Sequence, residues 1–306
     1  MKVFSIAAAL AATAIALFAT EDAHAAPCPS LAANKKAAQA LLDDVFNKRD
    51  VSAVDKYVSP TTYLQHNPHV PDGPQSLKDF AATFTNETKV EFGALVAEGD
   101  LVWLNTRYTG LPGTPVMVGV DVMRFDNGKI VEHWDILQAE VPADKTASGR
   151  PMFPVQGTAS APAPARQACE DGCETSDPRL DANKQAARAL LDDVFNKKDI
   201  SAVDKYVSAT TYLQHNPAVP DGPQSLRDFA ASFTDKTKVE FGAVAADGDL
   251  VWMNTRYTAV PGEEDSVALD VFRFENGRIV EHWDMLQADV PAAQTASGRP
   301  MFPIQG

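Results

Sequence analysis

Residues 31–157 return as residues 180–306 at a constant offset of 149, without a gap and with 96 identities in 127 positions. Leu41 to Lys48 recurs as Leu190 to Lys197, Thr61 to Pro68 as Thr210 to Pro217, and Ile130 to Asp135 as Ile279 to Asp284. A unit of this size is long enough to close its own core, so the repeat is a duplicated domain and not a solenoid. The chain therefore divides into a first domain at 31–157, a linker at 158–179 and a second domain at 180–306. The linker opens on the Ala/Pro-rich run Thr158 to Ala165, which reads as a semi-extended spacer. Within the repeat, residues 111–120 keep only 3 of 10 identities with 260–269, which marks a loop edging a pocket or the boundary between copies and predicts two sites of different access.

Residues 1–25 read as a secretory signal peptide. Lys2 is the positive start, Val3 to Thr20 is an apolar Ala-rich run, and Ala23, His24 and Ala25 form an A-x-A cleavage pattern. The expected location is secreted or periplasmic, with no membrane attachment once the signal is removed. In such an oxidising compartment disulfides persist. Cys28, Cys169 and Cys173 leave the pairing open and one thiol over. The net charge of −14 argues against nucleic acid, whose phosphates require a basic surface.

One copy reads as a helix over 32–48, a short helix over 50–58, a strand over 61–67 and a helix over 75–84. Extended runs follow at 89–97, 101–109 and 117–125, the last turning at Asn127-Gly128 into a strand over 129–139. Consecutive hairpins make these strands antiparallel. The fold class is α+β, with each copy a curled antiparallel sheet covered by helices, enclosing a conical space suited to a small molecule.

Period-two alternation sorts the strand residues by face. Val131, His133, Asp135 and Leu137 share one face; Glu132, Trp134, Ile136 and Gln138 share the other. Gly119, Asp121, Met123 and Phe125 stand together, as do Trp103, Asn105, Arg107 and Thr109. Tyr63, Gln65 and Asn67 oppose Leu64 and His66. A carboxylate among apolar neighbours should have a raised pKa, which suits a general acid or base near neutral pH. Asp135, His133 and Asp121 are therefore the candidate catalytic residues, repeated as Asp284, His282 and Asp270. The competing reading is a structural His–Asp pair, or an Asp121–Arg107 ion pair. Tyr63, His66, Asn67, Trp103 and Arg107 are candidate ligand-binding residues, with Tyr212, His215, Asn216, Trp252 and Arg256 as counterparts. No phosphate-binding loop, dinucleotide fingerprint or Ser nucleophile elbow is present, and no helical His pair supports a metal site, so neither cofactor nor metal is expected.

The run Tyr63 to Pro68, then Asp72-Gly73, then Asn127 to Gln138, resembles the SnoaL-like branch of the nuclear-transport-factor-two-like, ketosteroid-isomerase-like superfamily. The likeness covers both copies. It implies a conical α+β barrel and cofactor-independent acid/base chemistry of the polyketide-cyclase type. Asp135 and Asp284 match the family's general acid/base, two residues after the accompanying His133 and His282. The preceding strand departs from the cyclase pattern, with Gly119 and Asp121, then Ala268 and Asp270, where those enzymes carry a polar residue and a His. The expected activity is aldol-type cyclisation or isomerisation of a small hydrophobic carbonyl compound. The alternative is a binding module that holds such a molecule unchanged. The two copies are expected to form an intramolecular pseudo-dimer, with room for further oligomerisation.

Overall fold

A computed structural model describes residues 31–157 and 177–306. The proposed signal peptide, the Ala/Pro-rich run and all three cysteines lie outside the described residues.

In the first copy, α1 (Leu31–Leu42) runs into a π-helical turn at Asp43–Asn47, followed by α2 (Ala53–Tyr57), β1 (Leu64–Gln65) and α3 (Pro74–Ala81). Four long strands complete it: β2 (Lys89–Glu98), β3 (Leu101–Thr109), β4 (Met117–Asp126) and β5 (Lys129–Ala139). The second copy repeats this as α4 (Pro178–Leu191), α5 (Ala202–Tyr206), β6 (Leu213–Gln214), α6 (Pro223–Ala230), β7 (Lys238–Asp247), β8 (Leu250–Thr258), β9 (Ser266–Glu275) and β10 (Arg278–Ala288). Helix α4 begins just ahead of the repeat, because Asp177 caps it by accepting the Arg179 N–H at 2.8 Å and Pro178 fills its first turn. Among the described residues no helix is long and apolar enough to cross a membrane.

Each sheet has the order β1-β5-β4-β3-β2 or its equivalent, antiparallel throughout except that the two-residue β1 lies parallel to β5. The strand expected over 61–67 contracts to Leu64–Gln65. Within 61–67 only these two residues pair with β5, before the Asn67-Pro68 turn carries the chain away. The π-helical turn that ends the first helix is fixed by Asn47. Its amide donates to Asp43 Oδ1 at 2.8 Å and to the Val90 carbonyl at 3.0 Å, and its oxygen accepts the Val90 N–H. This ties the helix end to β2.

Both faces of each sheet are buried. One face packs beneath the helices, with Leu41, Leu42, Phe46, Leu104 and Met123 in a single core. The opposite face packs against the other copy, where Trp103, Trp134 and Ile136 meet Trp252, Trp283 and Met285. Gln138 Oε1 accepts the Leu286 N–H at 3.1 Å, and Gln287 Oε1 accepts the Leu137 N–H at 3.0 Å, so β5 and β10 are bonded reciprocally.

The segment after each sheet crosses to the other copy. Ala147 N–H donates to the Pro217 carbonyl at 2.8 Å, and Ala296 N–H donates to the Pro68 carbonyl at 2.9 Å. Each segment then returns to its own sheet. Val155 bonds Asn105 Oδ1 at 2.8 Å and accepts from Ala94 N–H at 3.0 Å. This explains Gly93 at the β2 bulge, since a Cβ there would collide with the Asn105 side chain.

The four Trp side chains carry much of the packing between copies. Truncating Trp134 to Ala should cost about 3–5 kcal/mol, the range for large aromatic deletions in cores. Chemical denaturation of the full chain, followed by far-ultraviolet circular dichroism, measures this.

Candidate active site

Under the helices of each copy lies a cavity whose floor is the middle of β4 and β5. In the first copy it is lined by Tyr63, Gln65, Asn67, Asp121, His133 and Asp135 among apolar side chains from α1, α3 and the β3–β4 loop. The second copy has the equivalent set Tyr212, Gln214, Asn216, Asp270, His282 and Asp284. Asp121 stands directly across from Asp135 in the β4–β5 register, and Asp270 across from Asp284. Alternation then brings His133 and His282 to the same face.

The hydrogen bonds assign the protons. The Asn67 N–H donates to Gln65 Oε1 at 2.9 Å, which fixes the orientation of that amide, and Gln65 Nε2 points to the Tyr63 hydroxyl at 3.3 Å. Gln65 Oε1 also lies 3.1 Å from His133 Nδ1, so Nδ1 must carry a hydrogen. His133 Nε2 faces Asp121 Oδ1 at 3.1 Å, while Asp121 Oδ2 accepts from the Thr106 hydroxyl at 2.7 Å and the Tyr108 hydroxyl at 2.8 Å. With Nδ1 committed as a donor, the contact between Nε2 and a carboxylate is met by an imidazolium. Burial pushes the His133 pKa down, but the hydrogen bond to Asp121 and the charges of Asp135 and Asp121 outweigh it, and the net shift is upward. His282, bonded in the same way to Gln214 and Asp270, is shifted upward by the same balance between burial and the Asp270 and Asp284 charges. Tyr108 is held far from ionisation by burial and by Asp121.

Asp135 is placed differently. Among the described residues its two oxygens accept only from Asn67 Nδ2, at 2.9 and 2.8 Å, and the Asn67 oxygen is fixed by the His69 N–H at 2.8 Å. Burial raises the Asp135 pKa and the Asp121 charge adds to the rise, while His133 and Asn67 oppose it. In the second copy the same forces push Asp284 up to about 6. Each cavity thus holds one carboxylate saturated by hydrogen bonds and one with unfilled lone pairs facing apolar space. The environments of the two carboxyl groups push them toward different roles.

Of the residues selected from sequence, the structure gathers Asp121, His133, Asp135, Tyr63 and Asn67 in one cavity, and their counterparts in the other. Six belong elsewhere. Trp103 and Trp252 lie on the opposite sheet face, and their indole N–H groups have no hydrogen-bond partner there, so they act as apolar filler between the copies. Arg107 does not pair with Asp121. It sits on the outer face, 2.6 Å from Glu91 and 2.8 Å from Glu140, and Arg256 likewise pairs with Glu240 and Asp289. His66 alternates with Gln65 and so points away from the cavity. It stacks on Trp134 at 4.4 Å, with Nδ1 2.6 Å from the Pro300 carbonyl and Nε2 2.9 Å from Glu132. His215 does the same with Trp283, Pro151 and Glu281.

The residues not selected were Gln65, Thr106 and Tyr108, with Gln214, Thr255 and Tyr257. Thr106 and Tyr108 occupy the alternate positions to Trp103, Asn105 and Arg107 on β3. Two hydroxyls on that face, beside the strand carrying Asp121, were the available signal.

Asp121, His133 and Asp135 offer donor atoms within 4.8 Å of one another, as do Asp270, His282 and Asp284. This is a donor set a divalent cation can accept. Here, however, the imidazole Nε2 is engaged with Asp121, and a cation would have to replace the proton between them.

The SnoaL-like domain family matches residues 38–133 and again residues 187–282. The matches span well over half of the chain, which belongs to this family and carries two of its domains. A relative from Aspergillus niger, described as "Probable cyclase otaY", is 27% identical over 110 residues, covering 35% of this chain and 92% of its own length. Its counterpart in Aspergillus carbonarius is 30% identical over 104 residues, covering 32% of this chain and 81% of its own length. Among solved structures, TsrD from Streptomyces laurentii is similar at 21% identity and a TM-score of 0.31, covering 36% of this chain and 90% of that one.

Among the described residues, Asn216 is the only side chain that donates to the Asp284 carboxylate. Replacing it with Leu removes an interaction that favours the charged form, so the Asp284 pKa should rise above its value of about 6. Carbon-13 NMR titration of the aspartate carboxyl groups should show that movement.

Proposed function

We propose that the chain carries out cofactor-independent proton transfer on a small hydrophobic carbonyl compound, of the aldol-type cyclisation or isomerisation class, with Asp135 and Asp284 as general bases. The observation that carries this reading is the buried carboxylate held by one Asn amide, with free lone pairs and a raised pKa, facing an apolar cavity. In this reading the carboxylate takes a proton from the carbon next to the carbonyl, and the C–H electron pair moves into the C–C bond as the carbonyl oxygen becomes an enolate. The Tyr63 or Tyr212 hydroxyl accepts from a Gln amide and keeps its own proton to donate to that oxygen. The neighbouring imidazolium stabilises the negative charge through space. The protonated Asp then returns its proton to carbon or oxygen to close the cycle. The two copies act as an intramolecular pseudo-dimer, in which each tail supports the other copy's loop. The resemblance of the Aspergillus proteins, whose name includes the word cyclase, is consistent with this chemistry.

An unbiased metabolite screen with the full chain identifies the compound. The double substitution Asp135→Asn and Asp284→Asn should then abolish turnover and leave binding intact. Undiminished turnover by the double variant would refute the assignment. Compound recovered chemically unchanged from the wild-type protein would point instead to a binding module.

The pH profile has a definite sign. A general base works only when ionised, so kcat/KM should fall as the pH drops through about 6, where Asp284 becomes protonated. On the alkaline side, loss of the His282 proton removes the stabilising charge, giving a second, descending limb above the ordinary histidine range. The limbs belong to the coupled Asp–His–Asp group as a whole. Exhaustive chelation with EDTA should leave the rate unchanged, since the proposed steps use only side-chain protons.

A further inference from the structure

The two cavities differ fivefold in size although both hold the same Tyr, Gln, Asn and His with two Asp side chains. The first has a volume of about 60 Å³ and the second about 320 Å³. An apolar cavity of about 150 Å³ accepts benzene, and a water molecule takes about 30 Å³ in the liquid. The first cavity therefore has room for a couple of water molecules, whereas the second exceeds twice the benzene-sized space.

Most of the wall is identical between copies, so few positions can account for this. Substitutions that reduce bulk in the second copy are Leu111 to Val260, Met117 to Ser266 and His69 to Ala218, while Met123 to Phe272 and Thr114 to Glu263 go the other way. His69 is exposed, at the outer edge. Met117 stands on the cavity face of β4, two alternations from Asp121, and is packed into the apolar core of the first copy. At the same place in the second copy, Ser266 lines the open cavity, as do Val260 and Glu263 from the loop before it. This is the segment where the repeats diverge most.

We propose that the second copy holds the ligand-accepting chamber, sized for an apolar carbonyl compound of about two fused rings, and that Met117 with Leu111 closes the corresponding chamber of the first copy. The inference rests on the acid/base reading for the ligand's carbonyl group and narrows it to Asp284, with Asp135 keeping the same geometry behind a closed chamber. Its size and site assignment rest on the cavity walls alone.

The test uses 6-propionyl-2-dimethylaminonaphthalene, a neutral fused-ring ketone whose emission reports polarity, with the full chain. Fluorescence titration and native mass spectrometry together give affinity and stoichiometry. The wild-type chain should bind one equivalent. Ser266→Met should weaken that binding at least tenfold. The double variant Leu111→Val with Met117→Ser should bind two equivalents, a gain that a misfolded protein would not show. Two equal sites in the wild type, no binding by the wild type, or one site undisturbed by Ser266→Met would each overturn the proposal. Because the readout is binding and not turnover, its failure is separable from that of the proton-transfer reading, which the aspartate double variant tests.

Discussion

Burial of each sheet on both of its faces is the constraint from which the other features follow. Strands β3, β4 and β5 carry apolar residues on both of their faces, so helices on one side leave a second apolar face that water would contact. The other copy covers it with its own Trp pair and the apolar residues around them. Burial of apolar surface stabilises by about 25 cal/mol per Å². That gain offsets the cost of four indole N–H groups left without partners among the described residues. Once the outer faces are joined, the helix-covered faces are left to form cavities.

The same joining reaches the chemistry through the crossing tails. Arg150 pairs with Asp221 at 2.9 Å, and Asp221 accepts the Gln214 N–H at 2.8 Å. Gln214 in turn orients His282. Reciprocally, Arg299 pairs with Asp72, which accepts the Gln65 N–H at 2.9 Å. The residue that fixes the imidazole tautomer in one copy is therefore braced by an arginine from the other. Such supporting contacts keep polar groups within the narrow tolerances that proton transfer requires.

Much of this was legible in the sequence. The hairpin at Asn127-Gly128 and the alternation along 129–139 gave the register that places His133 beside Asp135 and Asp121 across from it. What alternation could not supply was which face looks inward, because both faces are apolar when both are covered. Trp103 and His66, candidate ligand contacts by residue type, belong to the face between copies instead. Arg107 was considered as a partner for Asp121, but the charges that claim it, Glu91 and Glu140, come from neighbouring strands whose register is known only once the sheet is built. Thr106 and Tyr108 escaped notice since a hydroxyl on a strand is ordinary until a buried carboxylate is found beside it. The divergence at 111–120 marks a pocket edge or a boundary between copies without choosing, and Leu111 and Val260 line the two cavities.

The covalent duplication has a consequence for how such a protein can change. In an assembly of two identical chains, every substitution appears twice, and any alteration of one chamber is imposed on the other. Joining the halves in one chain lifts that symmetry. Position 117 can become bulky while position 266 stays small, and neither choice disturbs the Trp-lined seam that both halves need. One half can then be tuned for a reactant while its twin serves as scaffold, supplying the buried face and the arginine that steadies its neighbour's loop.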